Sequence, residues 1–444
     1  MQKYKIIYII FLIGLLIFLL YIQAYKIDEY FLALCLIITL IAVFMSFISV
    51  GPGMEALSTF LLIFIGIIPV IEELNNVVYW NGNITLNEKI YGDIWIILFE
   101  ISVIFGYLIN KTSKKIKLIN FKNNEIKYNM YDVTRIYIYI AIIGLYLLYI
   151  FNFDLRLLFT KDDTTPILVD SKGEYLFVQY FLRPLIFNFG LAIFFLSKQS
   201  LLTRLIALGI AIFFAFPTGI FRFLVGVLYI PFVYIFFLGK FEDNKIIIQY
   251  KKYFISSFLI FSLVFIFPIL EIFRGFTEDS YHNLNFGVDY LMTGHYDAFQ
   301  MFLNALKTDS PNYGYGLLGV LLFFIPRSFW PTKPDDSGRE IANLLGLSHN
   351  NVSMPIFGEL YLNFSYIGII LSGLLLGFII KRFDLNFKSL QLIPLNIGLL
   401  VFFQITGFIV IILRGGLLSE FSFFLSVLFT WIIIYFDKRL FSLR

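Results

Sequence analysis

The decisive part of this sequence is one long polar region, which reads FRGFTEDSYHNLNFGVDYLMTGHYDAF at 273–299, YGYGLLGVLLFFIPRSFWPTKPDDSGRE at 313–340 and LSHNNVSMPIFGELYLNFSYIG at 347–368. Long apolar runs lie on both sides of it. The histidines of the chain all fall inside this region: His282, His295 and His349. A polar region of this length between apolar runs predicts a large loop between membrane-spanning helices.

Composition assigns the chain to the membrane proteins. Of its 444 residues, 59% are hydrophobic and 14% are charged, and the mean hydropathy is +0.84. An average soluble domain has about 25% charged residues, so a soluble chain of this length could not cover its surface with polar groups. The net charge of +4 gives no reason to expect a nucleic-acid partner. The single cysteine, Cys35, excludes a disulfide framework and a cysteine metal site.

Apolar runs long enough to cross a bilayer recur along the whole chain. A spanning helix needs about 20 mainly apolar residues. Twelve such runs occur, at 5–22, 30–49, 57–75, 91–109, 134–152, 174–197, 200–216, 219–238, 253–272, 357–380, 392–413 and 417–436. Helix is predicted for all of them because hydrocarbon offers no water to an open backbone. We therefore predict an all-α polytopic membrane protein, one membrane domain, with spans 1–9 in residues 1–272, a partly helical outer loop at 273–356 and spans 10–12 in residues 357–444.

Basic residues set the predicted orientation. With a cytoplasmic N-terminus, most lysines and arginines fall in cytoplasmic loops, from Lys3 and Lys5 through the run at 111–135 to Arg444. Both termini are then cytoplasmic, and the loop at 273–356 lies outside the cell membrane. Lysine dominates the predicted cytoplasmic loops, whereas arginine outnumbers lysine elsewhere. Arginine makes planar, bidentate contacts with phosphate and carboxylate, so this outward surplus predicts an anionic ligand.

Four arginines near the predicted outer ends of spans are candidates for binding that ligand: Arg222, Arg274, Arg327 and Arg414. Each alone could instead anchor a span at lipid headgroups. Several guanidinium groups at one depth favour a diphosphate, which carries many acceptor oxygens. Arg183 lies deeper, where its desolvation cost is high, and pairing with Glu100 or another buried acid is its structural alternative. Arg339 in the loop is a further candidate.

Two residues are candidates for a general base. The first is His349, in SHNN at 348–351, because a histidine side chain can take a proton from a hydroxyl. A loop histidine bonded to a backbone carbonyl is its alternative interpretation. Glu359, in GELY at 358–361, is the second base candidate, and Tyr361 is a further site residue.

The apolar segment Leu317–Pro326 is too short to span a membrane. Together with Phe329 and Trp330, it predicts an interfacial groove wall along which a long lipid could enter. The sequence has no Walker motif, glycine-rich nucleotide loop or HExxH motif. We therefore expect neither a cofactor nor a metal.

These motifs resemble those of the bacterial O-antigen and capsule repeat-unit polymerases, the Wzy family. The matching pieces are YGYG at 313–316, IPRSFWPTKP at 325–334, and GELYLNF at 358–364, which leads into a span containing Gly368. The layout of twelve spans with one long outer loop is also similar to that family. His349 with Asn350, followed by Gly358 and Gly368, is similar to the histidine motif of the related O-antigen ligases.

The resemblance implies a metal-independent membrane glycosyltransferase of the second GT-C type. Such an enzyme joins polyprenyl-diphosphate-linked oligosaccharides, with undecaprenyl diphosphate as the carrier, on the outer face of the cytoplasmic membrane. Arg222, Arg274 and Arg327 would hold the donor diphosphate, with Arg414 as an addition. His349 would orient or deprotonate the acceptor hydroxyl, or contact the diphosphate. The implied product is lipopolysaccharide or capsule, made with a flippase and a chain-length regulator as partners. Attack opposite the leaving group predicts inversion at the anomeric carbon.

Other functions stay open at this point. The chain differs from the ligases in having Glu359 after the motif glycine and a longer insertion before the histidine, which leaves the choice of base open. An O-antigen ligase would differ only in its acceptor. A transferase using polyprenyl-monophosphate sugars would need an acid in the first outer loop, where Asp28 and Glu29 lie. A flippase is the alternative from another class, and the long outer loop disfavours it.

Overall fold

The computed structural model describes residues 28–109, 130–159, 172–242, 245–269, 288–308, 311–349, 351–390 and 395–442. This part of the chain is almost entirely helical. Eight of its helices are long and apolar enough to cross a membrane. The prediction of a helical, membrane-embedded protein is confirmed at this level.

The described elements are helices and one short β-hairpin. In chain order they are α1 (Glu29–Ile48), α2 (Pro52–Leu74), α3 (Leu86–Ile109), α4 (Met130–Ile150), α5 (Arg156–Phe159), α6 (Tyr175–Leu196), α7 (Leu201–Phe214), α8 (Arg222–Leu238), β1 (Gly239–Glu242), β2 (Lys245–Ile248), α9 (Phe254–Ile269), α10 (Val288–Leu291), a single 3-10 turn (Gly294–Tyr296), α11 (Ala298–Leu306), α12 (Tyr315–Leu321), α13 (Ser337–Leu345), α14 (Ile356–Leu390), α15 (Ile397–Arg414) and α16 (Leu417–Ser442). The middle turns of α2, α6 and α9 are π-helical.

Each predicted span from 30–49 onward corresponds to one helix, which begins within about five residues of the predicted start. The predicted span at 5–22 lies outside the described residues. The helices α7, α8 and α9 are shorter apolar helices than the other eight. They have 10–17 residues each, whereas each of the eight helices that are long enough to cross a membrane has at least 18.

Side-chain caps explain where several helices begin. Asp28 accepts the backbone N–H groups of Tyr30 and Phe31 at the start of α1. Ser200 accepts that of Thr203 at α7, and Asn396 accepts that of Leu399 at α15. The first N–H groups of a helix have no partner within it, so a polar side chain just before an apolar run fixes its start.

One short β-hairpin departs from the all-α prediction. Strands β1 and β2 are antiparallel, with Gly239 opposite Ile248, and they follow α8 directly. The hairpin forms in the segment between the apolar runs at 219–238 and 253–272, for which the sequence analysis predicted no secondary structure.

The helix α3 packs along α14 at close range. A side chain on Gly373 or Gly377 would meet the backbone carbonyls of Phe99 and Val103 on α3. Small residues at such a contact let two helix backbones approach each other, which is how membrane helices commonly associate. At the periphery, α4 exposes Ile138, Ile142, Leu145 and Tyr149, as expected for a lipid-facing surface.

Part of the predicted outer loop belongs to the core. The helix α11 is buried from Ala298 to Ala305 and contacts both α3 and α14. Its apolar residues Phe299, Met301 and Phe302 explain this burial. The loop therefore packs into the bundle and brings polar residues of the loop with it.

The helix α14 has two parts. Phe364 and Ser365 have non-helical backbone angles, and Ser365 has a φ of 56°. The two turns before this kink carry Glu359, which is buried. The kink therefore separates a short segment at the candidate site from the long segment that packs against α3.

Candidate functional site

The junction of α15 and α16 is a tight turn that other parts of the chain hold in place. We call residues 414–420, RGGLLSE, the Arg414 turn. Glu359 accepts the backbone N–H of Leu417 at 2.6 Å. Asp336 accepts the backbone N–H of Ser419 at 3.3 Å and its hydroxyl at 2.8 Å. The first N–H groups of a helix carry partial positive charge, so these two carboxylates stabilise the start of α16.

Glycine is required in this turn. A side chain on Gly416 would overlap the carboxylate of Asp336, and one on Gly415 would overlap that of Glu420. The pair Gly415 and Gly416 therefore allows two carboxylates to approach the backbone of the turn.

Glu359 also holds a second element. Its other carboxylate oxygen accepts the hydroxyl of Ser337 at 2.5 Å, and the residue is 2% exposed. Both oxygens are thus bonded to protein groups, and Glu359 forms no hydrogen bond with His349 in the part of the chain that the structure describes. Its observed contacts join α13, α14 and α16, and a role as base stays a prediction.

Arg414 is a charged side chain of the turn that forms no hydrogen bond with the described residues. It is half-buried, and its Nε atom is buried without a hydrogen-bond partner. Its guanidinium donates no hydrogen bond within the described residues, although it lies close enough to Glu420 to interact electrostatically. Glu420 likewise has one carboxylate oxygen without a partner. A guanidinium has five N–H donors, so this turn offers a cation with its donors unused.

The segment before α14 connects the Arg414 turn to a second polar group. The N–H of Met354 donates to the carbonyl of Arg414 at 3.0 Å. The N–H of the preceding residue, Ser353, donates to the carboxylate of Asp297 at 3.4 Å. Adjacent residues are about 3.8 Å apart along the chain, so the two polar groups are contiguous.

We call Glu72, Trp80, Asp297 and Gln300 the Asp297 cluster. The indole N–H of Trp80 donates to Asp297 at 2.8 Å, and the amide of Gln300 donates to Glu72 at 2.9 Å. Asp297 and Glu72 are buried, and each keeps one carboxylate oxygen without a partner. Burial and the nearby Glu72 carboxyl raise the pKa of Tyr79 above its usual range. The cluster is therefore a buried, acceptor-rich site.

His349 lies on this cluster. Its imidazole stacks on the Trp80 indole, with ring centres 4.6 Å apart, and the residue is exposed. The N–H of Ser348 donates to the Trp80 carbonyl at 3.0 Å and fixes the approach. The imidazole nitrogens form no hydrogen bond to a backbone carbonyl within the described residues, and the choice between a base and a bonded loop histidine stays a prediction. Trp80 joins His349 to Asp297.

Arg327 is bonded within its own loop. Its guanidinium donates to the carbonyls of Lys333 and Pro334 and to the Asp335 carboxylate at 2.6 Å. The side chains of Arg327 and Asp335 are 49% and 45% exposed. An exposed ion pair contributes only about 0–1 kcal/mol, so an anionic ligand could replace Asp335 at little cost. Asp335 precedes Asp336, which contacts the Arg414 turn.

The backbone at Arg222 lies near the same turn. Arg222 begins α8, and its side chain lies outside the described part of the structure. The rings of Phe221 and Phe223 contact Phe423 with centre distances of 6.1 and 4.5 Å. Phe423 follows Glu420 by about one turn of α16. The start of α8 is therefore brought close to the Arg414 turn.

Arg183 is placed differently from the expectation. It is fully buried and donates to the carbonyls of Leu157 and Gly219 at 2.8 Å each. The alternative pairing with Glu100 is wrong, because both Glu100 oxygens lack hydrogen-bond partners. Backbone carbonyls at α5 and before α8 accept hydrogen bonds from its two terminal nitrogens instead, so Arg183 joins these segments to α6. Its Nε atom is buried without a hydrogen-bond partner.

The other predicted residues are more dispersed. Tyr361 donates its hydroxyl towards the carbonyls of Leu306 and Thr308, each at 3.3 Å. Arg339 is exposed on α13. Arg274 and His282 lie outside the described residues, and His295 lies in the 3-10 turn next to Tyr290. Among the described residues, no group of three or more His, Cys, Asp or Glu side chains could hold a metal ion.

Sequence reasoning missed Asp336, Asp297 and Glu420. A signal for Asp336 was present, because Asp-Ser-Gly after a proline is typical of a helix N-cap, and Asp336 does cap α13. Nothing local indicated that the same carboxylate would also reach Ser419. The burial of Asp297 depends on the packing of α11, which no local pattern predicts.

Comparison with known proteins adds no assignment. The chain matches no protein-family model, no curated protein and no solved structure. The site must therefore be interpreted from its own residues.

Proposed function

We propose that this chain is a membrane glycosyltransferase that polymerises polyprenyl-diphosphate-linked oligosaccharide repeat units. The reaction would take place on the outer face of the cytoplasmic membrane, without metal, in a GT-C-like protein of twelve spans with both termini cytoplasmic. The Wzy-like motifs YGYG, IPRSFWPTKP and GELYLNF are the basis of the proposal.

The environment of the Arg414 guanidinium supports the proposal beyond the motifs. Arg414 presents a guanidinium without hydrogen bonds to the described residues, in a turn that Glu359 and Asp336 hold rigidly. The start of α8 and the Arg327 loop approach the same turn from distant parts of the sequence. Preorganised cationic donors of this kind suit an anion whose charge grows during reaction.

The donor side of the reaction follows from that arrangement. As the glycosidic bond to the diphosphate breaks, negative charge accumulates on the diphosphate oxygens. Arg414, with Arg222, Arg274 and Arg327, would stabilise this charge through bidentate contacts. Arg327 would exchange its exposed contact with Asp335 for a phosphate oxygen.

The acceptor side would lie at the Asp297 cluster. His349 has its imidazole nitrogens available and stacks on Trp80, an aromatic surface on which a sugar ring could also pack. His349 would accept the proton of the attacking hydroxyl, with a contribution of about 10²–10⁴-fold to the rate. The attack opposite the leaving diphosphate would invert the anomeric carbon.

The test is glycan chain extension in the native host with its own gene replaced by variants. We expect Arg414→Ala, Arg274→Ala and Arg327→Ala to lose the ladder of extended glycans on gels while the protein stays in the membrane. Arg414→Lys keeps a charge but not the planar fork, so it should restore only part of the ladder. Arg156→Ala is the matched control, because Arg156 is an exposed arginine paired with Asp154 and is not among the proposed diphosphate-binding residues.

The products that accumulate separate this proposal from its alternatives. Single repeat units at the cell surface in the deletion strain indicate a polymerase. Full-length chains left on the lipid carrier would indicate a ligase, and units retained on the cytoplasmic side would indicate a flippase. A complete ladder in Arg414→Ala would contradict the assignment of Arg414.

A further inference from the structure

Three residues of α3 form a polar stripe inside the helical bundle. Asp93, Glu100 and Tyr107 follow one another at intervals of seven residues, which places them on one face of the helix. All three are 0% exposed. Successive members are about 10 Å apart along the axis, at about 1.5 Å of rise per residue. The proposed glycosyl transfer uses none of them.

Glu100 is the unusual member of the stripe. Both of its carboxylate oxygens are buried without a hydrogen-bond partner, and one oxygen of Asp93 is in the same state. Buried carboxyl groups in proteins are normally hydrogen-bonded, and each exception requires an explanation. An ionised carboxylate without any partner would be strongly disfavoured in this apolar surrounding. The neutral, protonated form is the one that this environment accepts.

The groups around Glu100 support a neutral form. Asp93 is close enough to interact electrostatically, and it is also negative when ionised. From α1, Cys35 approaches Asp93 with its sulfur 3.7 Å from a carboxylate oxygen. From α14, Asp384 faces Tyr107, and the Lys381 ammonium lies over the Tyr107 ring.

The remaining neighbours add no cation next to Glu100. The helix α2 contributes Glu72 near Cys35, and it contributes Glu55, which hydrogen-bonds serine hydroxyls. The helix α11 also packs against α3 and has no titratable residue. No group among these described neighbours provides an ion pair for Glu100.

The two ends of the stripe differ in the groups that surround them. The Tyr107 hydroxyl donates to Asp384 at 2.9 Å and accepts the N–H of Val50 at 3.0 Å, so it is fully bonded. At the other end, Asp93 lies within electrostatic range of Lys89, whose ammonium pairs with Glu73 near the surface. The Asp93 end is therefore the one that lies near a charged pair close to the surface.

We propose that Glu100 is a proton-binding site inside the bundle, loaded and unloaded through Asp93. Buried carboxyl groups within membrane helices commonly mark proton pathways. Water molecules would bridge the distance between Asp93 and Glu100, since unpartnered polar atoms are where buried water binds. The site is independent of the proposed glycosyl transfer, and its test does not require that reaction.

Infrared spectroscopy of the purified full-length protein in detergent tests the proton on Glu100. At neutral pH, the wild-type protein should show a protonated carboxylic acid carbonyl band that Glu100→Gln lacks. Asp154→Asn is the control, because its hydrogen bonds with Arg156 hold the pKa of Asp154 below its usual range. That variant should leave the band unchanged. Wild-type and Glu100→Gln proteins with the same carboxylic acid bands would overturn the proposal.

The rate of deuterium exchange tests the route. After transfer to heavy water, the Glu100 band should shift, and the shift should be several-fold slower in Asp93→Asn. Tyr107→Phe should leave the rate unchanged. A band that never shifts would mean a sealed structural acid and would overturn the binding site. A rate that changes in Tyr107→Phe but not in Asp93→Asn would overturn the route.

Discussion

Two helices in this protein, α2 and α16, begin under carboxylates that come from distant parts of the sequence, and the two starts differ in how completely their polar groups are hydrogen-bonded. In one, α2 begins after Gly51, and the carboxylate of Asp384 accepts the N–H groups of Gly53 and Met54 at 2.7 and 3.2 Å. We call Asp384 with Gly51, Gly53, Met54 and Tyr107 the Asp384 cap. In the other, the Arg414 turn, α16 begins after two glycines under carboxylates from α13 and α14. The helix α14 supplies a carboxylate to each start, Glu359 from near its first turn and Asp384 from near its last.

The two helix starts differ in whether every polar group at the start has a hydrogen-bond partner. At the Asp384 cap, the hydroxyl of Tyr107 completes the bonding of the carboxylate at 2.9 Å. At the Arg414 turn, the Arg414 guanidinium and one Glu420 oxygen form no hydrogen bond with the described residues, although the two side chains interact electrostatically. A fully bonded cap needs only a structural explanation. A cap that holds an unbonded cation in place has the features of a preorganised binding site.

The largest effect on stability is expected for Asp384→Ala, which removes the carboxylate of the Asp384 cap. The variant leaves three buried donors without an acceptor, at about 1–3 kcal/mol each. We therefore expect a loss of about 4 kcal/mol or more in the free energy of unfolding. Thermal unfolding and size-exclusion profiles in detergent measure it. Asp384→Asn keeps one acceptor oxygen and should lose less.

A near-wild-type Asp384→Ala protein would show that the Asp384 cap contributes little to stability. The two caps would then no longer differ in the way that their hydrogen bonds indicate.

Glu359→Gln and Glu359→Ala form the second pair, at the Arg414 turn. Glu359→Ala removes the acceptor for Leu417 and Ser337, with an expected loss of about 3 kcal/mol. The Gln amide retains one acceptor oxygen and should lose about half of this. If Glu359 only positions the turn, chain extension should fall in proportion to stability. Glycan ladders compared with melting temperatures of both variants decide this.

A different pattern would assign Glu359 to the chemistry. A Glu359→Gln protein with wild-type stability and no chain extension would indicate that its carboxylate acts as the base.

The sequence predicts the helices of this protein better than its polar contacts. Apolar runs and local caps such as Asp28 and Asn396 lie within a few residues of the helix starts that they determine. The Asp384 cap joins residues more than 300 positions apart, and no local pattern encodes such a contact. The arginine surplus made Arg414 a candidate for anion binding, and that role stays a prediction. The surplus could not distinguish Arg414 from Arg183, whose two terminal nitrogens donate to backbone carbonyls.

Gly416→Ala should have a smaller effect on stability and a clear effect on the turn. The added methyl group would overlap the Asp336 carboxylate and separate it from Ser419. Overpacking of this kind costs about 1–3 kcal/mol. Gly209→Ala is the matched control, because nothing lies within 4 Å of a side chain at that position in α7. It should be neutral or stabilise by about 0.5–1 kcal/mol.

Melting temperatures of the two glycine variants, measured in the same detergent, provide the comparison. Equal melting temperatures would contradict the close approach of Asp336 to the Arg414 turn.

The smallest effect concerns Arg327 and Asp335, the exposed pair beside the turn. A double-mutant cycle of Arg327→Ala and Asp335→Ala should give a coupling of only about 0–1 kcal/mol in stability. The two variants should differ strongly in chain extension, because only Arg327 is proposed to bind the diphosphate. Asp335→Ala should keep or increase extension, since it releases the guanidinium for its ligand. A large stability coupling, with equal loss of extension in both variants, would place Arg327 among the structural arginines together with Arg183.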